Sequence, residues 1–301
     1  MGHLWGIDLG GTKVEGAILD TESLEVVART RIPTEQQHGY RHIIGQITKL
    51  VSMLKAETGL SPEVIGIGTP GSTDPKTGTL MNSNTVCLNG EPLHDDLQKA
   101  LELPVAMAND ANCFALAETR MGVVPEVHPD ARLVFGVIMG TGVGGGIVIN
   151  NQVWNGRMGI GGEWGHTFLD ESGGPCYCGD IGCTEQVISG PALERFYAKI
   201  SGKKLKMRDI VLHYRDQSDE HAFKTMERLM HFFGRGLSNV INVLDPDVVE
   251  LGGGVGNIDE LYTLGVESLE KYIFNTRFET IIARPKLGDS AGVFGAAFLA
   301  E

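Results

Sequence analysis

The sequence predicts an α/β protein with a duplicated core, its two lobes flanking a cleft. Two observations carry that expectation. Each half of the chain opens with a strand, a glycine-rich turn containing threonine, and a further strand: residues 4–8, Gly10-Gly11-Thr12-Lys13 and 14–19 in the first half, then 133–139, 140–146 and 147–149 in the second. Around these hairpins, short β-branched runs alternate with stretches of helical periodicity, as in α/β proteins. At 301 residues the chain is long enough for two domains or one large α/β unit.

The elements follow in order. Strands at 4–8, 14–19 and 24–32 make an antiparallel meander. Ile43, Ile44, Ile47, Leu50, Val51 and Leu54 fall at helical spacing, and Gly59 ends that helix. Residues 64–67 and 105–107 read as buried strands with a looped excursion between them. Asn109-Asp110 closes the second of these, and a helix continues over 112–118. In the second half, Met226, Leu229, Met230, Phe233, Leu237, Val240, Ile241 and Leu244 mark a long apolar helix face. Asp245-Pro246-Asp247 stops it, and the strand 248–251 runs into Gly252-Gly253-Gly254.

Hydrophobic content of 42% with 21% charged residues is that of an ordinary globular protein. A formal net charge of −13 argues against nucleic acid or an anionic membrane surface as partner. It does not exclude a phosphorylated substrate, because the local field of a cleft outweighs the global sum. No apolar stretch approaches the length of a membrane span. The N-terminal residues lack the charged lead, apolar run and cleavage site of a signal peptide, which predicts a cytoplasmic protein. Five cysteines, three of them clustered, suit a reducing compartment better than a disulfide scaffold.

Glu163-Trp164-Gly165-His166 is followed, nine residues on, by Cys176-Tyr177-Cys178-Gly179-Asp180-Ile181-Gly182-Cys183-Thr184-Glu185. His166, Cys176, Cys178 and Cys183 make a complete tetrahedral set for a structural Zn²⁺, with no position left for water. A disulfide or plainly buried cysteines are the alternatives. Glu163 and Glu185, just outside that set, are placed to bind the hydroxyls of a small polyol.

Asp8 precedes the turn Gly10-Gly11-Thr12-Lys13, whose glycines let backbone N–H groups approach a phosphate while the carboxylate holds Mg²⁺. The spacing is not that of a Walker loop. The second turn, with Gly140, Thr141, Gly142 and Gly144, strengthens the reading of a phosphate clamp, since so many glycines weaken a sheet unless something must approach the backbone. Gly252, Gly253 and Gly254 offer the same close approach to an adenosine. Asp110 is either a helix N-cap or the group that orients and deprotonates an attacking hydroxyl in phosphoryl transfer.

Together, Asp8 to Lys13, Ala108-Asn109-Asp110-Ala111-Asn112, Gly140-Thr141-Gly142, Gly162-Glu163-Trp164-Gly165-His166 and the cysteine cluster resemble the ROK family of sugar kinases and repressors. The motifs run in order over nearly the whole chain. Within the family, Leu88-Asn89-Gly90, residues 162–166, 175–178 and 248–254 are most similar to fructokinases of the fructose/mannose type. The resemblance implies the ribonuclease H-like fold shared with hexokinase, actin and the Hsp70 ATPase. It implies a smaller lobe, residues 1–118 with 289–301 packing back on it, and a larger lobe, 119–288, carrying the zinc loop and a homodimer surface. It further implies transfer from Mg-ATP to the 6-hydroxyl of fructose, with mannose as a second substrate. Asp110 would be the base, Asn84 and Asn109 would hold the sugar, and so would Glu163 and Glu185. His166 would bind zinc through one ring nitrogen and leave the other free to face the sugar.

Kinases of N-acetylglucosamine, N-acetylmannosamine or glucose share this chemistry and are the first alternatives. A sugar-sensing regulator of the same family would carry a helix-turn-helix ahead of the first strand, whereas here a strand begins near residue 4 and no basic recognition helix is seen. A structural actin-like ATPase has no use for a polyol-binding metal loop.

Overall fold

The computed structural model describes residues 2–301. Two five-stranded sheets dominate it. The first runs in the order Val26–Pro33, Lys13–Asp20, His3–Leu9, Ile65–Thr69, Val105–Asn109. Its first three strands pair antiparallel and the last two are added parallel. The second sheet repeats that order of connections: Gln152–Val153, Val143–Ile149, Leu133–Met139, Val248–Gly252, Ile281–Ala283. The duplication expected from the two hairpins is therefore present in the topology.

The chain divides into two compact units: residues 1–125, 146–161 and 286–301 in one, residues 126–145 and 162–285 in the other. The expected boundary at 118 assigned 146–161 to the second lobe. In the structure that segment belongs to the first unit, where Ile147 N–H donates to Asn112 Oδ1 (3.2 Å) and Asn112 Nδ2 donates to Asn155 Oδ1 (3.2 Å).

In the first unit the alternation of the strands sets one face of the sheet against the helix Tyr40–Thr58. Ile7, Val14 and Ile18 bury against Ile43, Ile47, Leu50 and Leu54. Gly59, at φ 70°, caps that helix, a left-handed position that glycine adopts without strain. The C-terminal helix Ala291–Phe298 packs on the strands His3–Leu9 and Ile65–Thr69 and on the helix Asp110–Met121. Its approach is close enough that a Cβ at Gly66 would lie 1.7 Å from the Ala296 carbonyl. Glu118, fully buried, fixes the segment leading into this helix by accepting from the N–H groups of Lys286 and Leu287. In the second unit the helix Glu220–Leu244 buries Met226, Leu229, Phe233, Leu237 and Ile241, the stripe read from the sequence. Among the described residues no helix is long and apolar enough to cross a membrane.

Three local expectations change. The third strand starts at Val26 because Asp20 accepts from the N–H groups of Glu22 and Ser23, closing a turn that leaves Leu24 at φ 57°. The excursion after residue 67 contains the helix Leu93–Leu101, whose Leu93, Leu97 and Leu101 spacing was readable. The run 140–146 is a turn only as far as Gly142, since the strand begins at Val143.

Candidate active site

In the first unit, Asp8 is the last residue but one of the opening strand, opposite Glu15. The turn beyond it is closed by Gly10 N–H donating to the Lys13 carbonyl (3.0 Å). Thr34 holds the turn from below: its hydroxyl donates to the Gly10 carbonyl (2.6 Å) and its N–H to that of Thr12 (3.1 Å). Burial pushes the Asp8 carboxyl up to about 6, and the charges of Asp110 and Glu15 add to the shift against Lys13 and Arg31. Glu15 is itself buried and bound by Arg29 and Arg31. A group poised near neutrality between carboxylates and cations is ready to exchange its proton for a metal ion.

Asn109 ends the last strand of that sheet, and Asp110 begins the helix that follows. The cap is Asn109: its Oδ1 accepts from the Ala111 N–H (2.9 Å) and its Nδ2 donates to the Gly71 carbonyl (3.3 Å). Asp110 also accepts from the Ala111 N–H, through Oδ1 (2.8 Å), and its side chain is exposed. With the capping position filled by Asn109, the helix does not need Asp110 as its N-cap. Beside Asn109 lies a cavity of about 320 Å³ lined by Thr69, Ser72, Thr73, Met107, Asn109 and Asn155 among others. Asn84 is exposed and outside that lining. Ser72, Thr73 and Asn155 come from segments with no periodic signal and far apart along the chain, so nothing in their spacing groups them.

In the second unit the ligand atoms of His166, Cys176, Cys178 and Cys183 all lie within 4.8 Å of one another. The thiols are free, with Cys178 Sγ 3.5 Å from Cys183 Sγ and Cys176 Sγ 3.6 Å from His166 Nδ1. Metal–sulfur bonds of about 2.3 Å put tetrahedral ligands about 3.8 Å apart, so the set fits zinc and leaves the disulfide alternative unmet. The other ring nitrogen of His166, expected to be free, lies 2.9 Å from the Tyr177 hydroxyl. Glu185 lies in the first turn of the short helix Thr184–Ile188 and accepts from the Val143 N–H (3.1 Å). The carboxylate comes close to Gly142, where a Cβ would sit 2.7 Å from Glu185 Oε2 and push it aside. Burial raises the Glu163 carboxyl, His166 opposes the shift and Glu185 adds to it, which places the three groups in one electrostatic neighbourhood.

The glycines of this unit divide by role. A Cβ at Gly145 would lie 2.7 Å from the Phe135 ring, so packing within the strand explains it. Gly144 stands inside the same strand, its carbonyl accepting from the Trp164 indole (2.8 Å), which corrects its assignment to a phosphate turn. Gly252 closes a strand, and Gly253 is packed against the Met139 carbonyl. Gly254 faces open space. With Gly140, Thr141, Lys206, Arg208 and Asn257 it lines a cavity of about 790 Å³, large enough for a nucleoside phosphate.

The model of the ROK family matches residues 4–301. An N-acetyl-D-glucosamine kinase of Aliivibrio fischeri is 35% identical over 305 residues, covering 98% of each chain. A ROK hexokinase from Thermus thermophilus superposes with a TM-score of 0.87 at 30% identity, covering 99% of this chain and 97% of its own. A ROK family glucokinase from Streptomyces griseus, solved with glucose and AMPPNP, gives 0.78 at 29% identity, with 99% of each chain covered.

Proposed function

The chain belongs to the ROK family and is a sugar kinase, and from that premise we propose that it transfers the γ-phosphoryl group of Mg-ATP to the 6-hydroxyl of N-acetylglucosamine. The naming of its relatives carries the choice of sugar. The cavity beside Asn109 supports it, because hydroxyl and amide side chains alternate there with Met107 and Pro75, surroundings suited to an acetamido group. The fructose expectation rested partly on Leu88-Asn89-Gly90. Those residues have a local reason: Leu88 is fully buried, and Asn89 staples the loop by accepting from Ser83 N–H (2.8 Å) and donating to Ser83 O (2.9 Å).

In this reading Asp110 orients the 6-hydroxyl and accepts its proton as the phosphoryl group leaves ADP, a task that needs only a carboxylate of ordinary basicity. Asn109 positions a ring hydroxyl with its remaining hydrogen-bonding capacity, and Asn84 is a looser contact of the same kind. Glu163, Glu185 and His166 bind hydroxyls at the far end of the sugar. Asp8 holds the cation that accompanies the triphosphate. Gly10, Gly11, Thr12 and Lys13 bind phosphate in this reading, as do Gly140, Thr141 and Gly142, and Gly254 leaves room for the nucleoside. Zinc bound by His166, Cys176, Cys178 and Cys183 supplies rigidity to the loop that presents the two glutamates. The active unit is a homodimer in this reading.

The test is product identification. With ATP, Mg²⁺ and N-acetylglucosamine, ³¹P NMR should show a 6-phosphomonoester formed in step with ADP. ADP release without a new phosphomonoester would refute the proposal.

A further inference from the structure

Tyr177 stands between two of the metal-set cysteines and has no role in the function described above. The residue is 76% exposed. Its hydroxyl lies 2.9 Å from His166 Nε2, and the two rings meet edge to face, 5.1 Å apart. The backbone beneath it is tightly held: Pro175 bridges to Ile181, Cys176 N–H donates to the Asp180 carbonyl (2.8 Å), and Gly179 N–H donates to Cys176 O (3.1 Å). The side chain is therefore the movable part. An exposed ring anchored by one hydrogen bond and an edge contact is released at low cost, because little buried area is lost when it swings away.

What the hydroxyl covers gives the contact its meaning. His166 Nδ1 faces the thiols, which leaves Nε2 as the only ring nitrogen able to meet a ligand. With Nδ1 given to a metal held by the three thiols, Nε2 would carry the proton and donate it to an oxygen. A phenol oxygen and a sugar hydroxyl are equivalent acceptors for that donor. We infer that Tyr177 holds the place of a sugar hydroxyl on His166 Nε2 and is displaced when the sugar binds, so that it sets sugar affinity by competition. The inference rests on the reading that His166, Glu163 and Glu185 receive the sugar.

The experiment titrates zinc-loaded wild type, Y177F and E163Q with N-acetylglucosamine by calorimetry, without nucleotide, with zinc content measured on each sample. Y177F keeps the ring and loses the competing oxygen. It should bind the sugar about two- to tenfold more tightly, the span of one net hydrogen bond, with zinc content equal to wild type. Equal or weaker binding at equal zinc content would overturn the inference. Should Y177F lose zinc, the wild-type sequence carrying 3-fluorotyrosine supplies the second measurement. Its Tyr177 ¹⁹F resonance, assigned by its absence in Y177F, should shift as sugar saturates, and an unmoved resonance would overturn the inference. E163Q separates the two possible failures. If E163Q binds as tightly as wild type, the sugar-site reading falls and Tyr177 with it. If E163Q weakens binding while Y177F fails to tighten it, only the inference about Tyr177 falls.

Discussion

The carboxylates of the two units are positioned by different means. Asp8 and Asp110 sit at a strand end and a helix start, where backbone hydrogen bonds already fix the chain. Glu163 and Glu185 flank a loop of short helical turns and bends, tied by scattered cross-loop bonds such as Leu169 N–H to Gly182 O (2.7 Å) and Thr184 N–H to Thr167 O (2.9 Å), with the cysteine–histidine cluster beside them. Secondary structure supplies rigidity in the first case. In the second, short cross-loop bonds and bridges take the place of regular ladders, and a metal bound by the four clustered residues would reinforce them. The first pair should therefore be insensitive to the metal and the second dependent on it.

The largest expected effect comes from the first unit. D110N should lower kcat by about 10²–10⁴, the usual contribution of a general base, while sugar affinity changes far less. Single-turnover phosphorylation with sugar saturating measures it, and a rate within about threefold of wild type would reduce Asp110 to a structural residue.

Next in size is the loss of the metal. C178S, or wild type stripped by a chelator, should lose zinc, melt at lower temperature and bind sugar at least about tenfold more weakly, as outer supports of a site generally do. Nucleotide affinity should hold. Parallel titrations with sugar and with an ATP analogue check this, and equal losses of both would break the contrast between the units.

Two glycines test a smaller difference, between a position closed by packing in the first unit and one left open in the second. A Cβ at Gly146 would lie 2.5 Å from the Ala111 carbonyl and 2.7 Å from Asn112 Cα, backbone that cannot swing aside. G146A should cost about 1–3 kcal/mol in urea unfolding. G254A meets open space and should leave stability unchanged while raising the KM for ATP.

The pH effect is the smallest. The native Asp8 carboxyl sits at about 6 against 3.8 in an exposed chain, so between those values the folded state holds more protons than the unfolded one. Stability from this group therefore falls as pH rises through that window, and the full deficit is present above about 6. Without magnesium, D8N should melt higher than wild type at pH 7.5, and the gap should shrink toward pH 4. A gap independent of pH would mean that Asp8 is not strained by burial.

The sequence revealed more of the fold than of the site. The short apolar strand runs were legible because those strands are buried along most of their length, and the helical stripes ending at Leu54 and running from Met226 to Ile241 because burial on one face imposes a period. The metal set was legible because its ligands lie close along the chain. Runs of glycine were ambiguous: a glycine spared for a phosphate and one spared for a packed carbonyl look alike until the neighbour is known, as Gly254 and Gly253 show. The lining of the cavity beside Asn109 was hidden for a similar reason, since Ser72 and Asn155 meet only through the fold. The choice of sugar was hidden most deeply, because one substituent on the ring is read by side chains from several such segments.

The central claim is tested most directly by measuring kcat/KM for N-acetylglucosamine and for fructose on the same zinc-loaded preparation at saturating Mg-ATP. The amino sugar should be favoured at least about tenfold, the discrimination typical of a filled substituent pocket. A preference for fructose of the same size would contradict it and return the protein to the fructokinase reading.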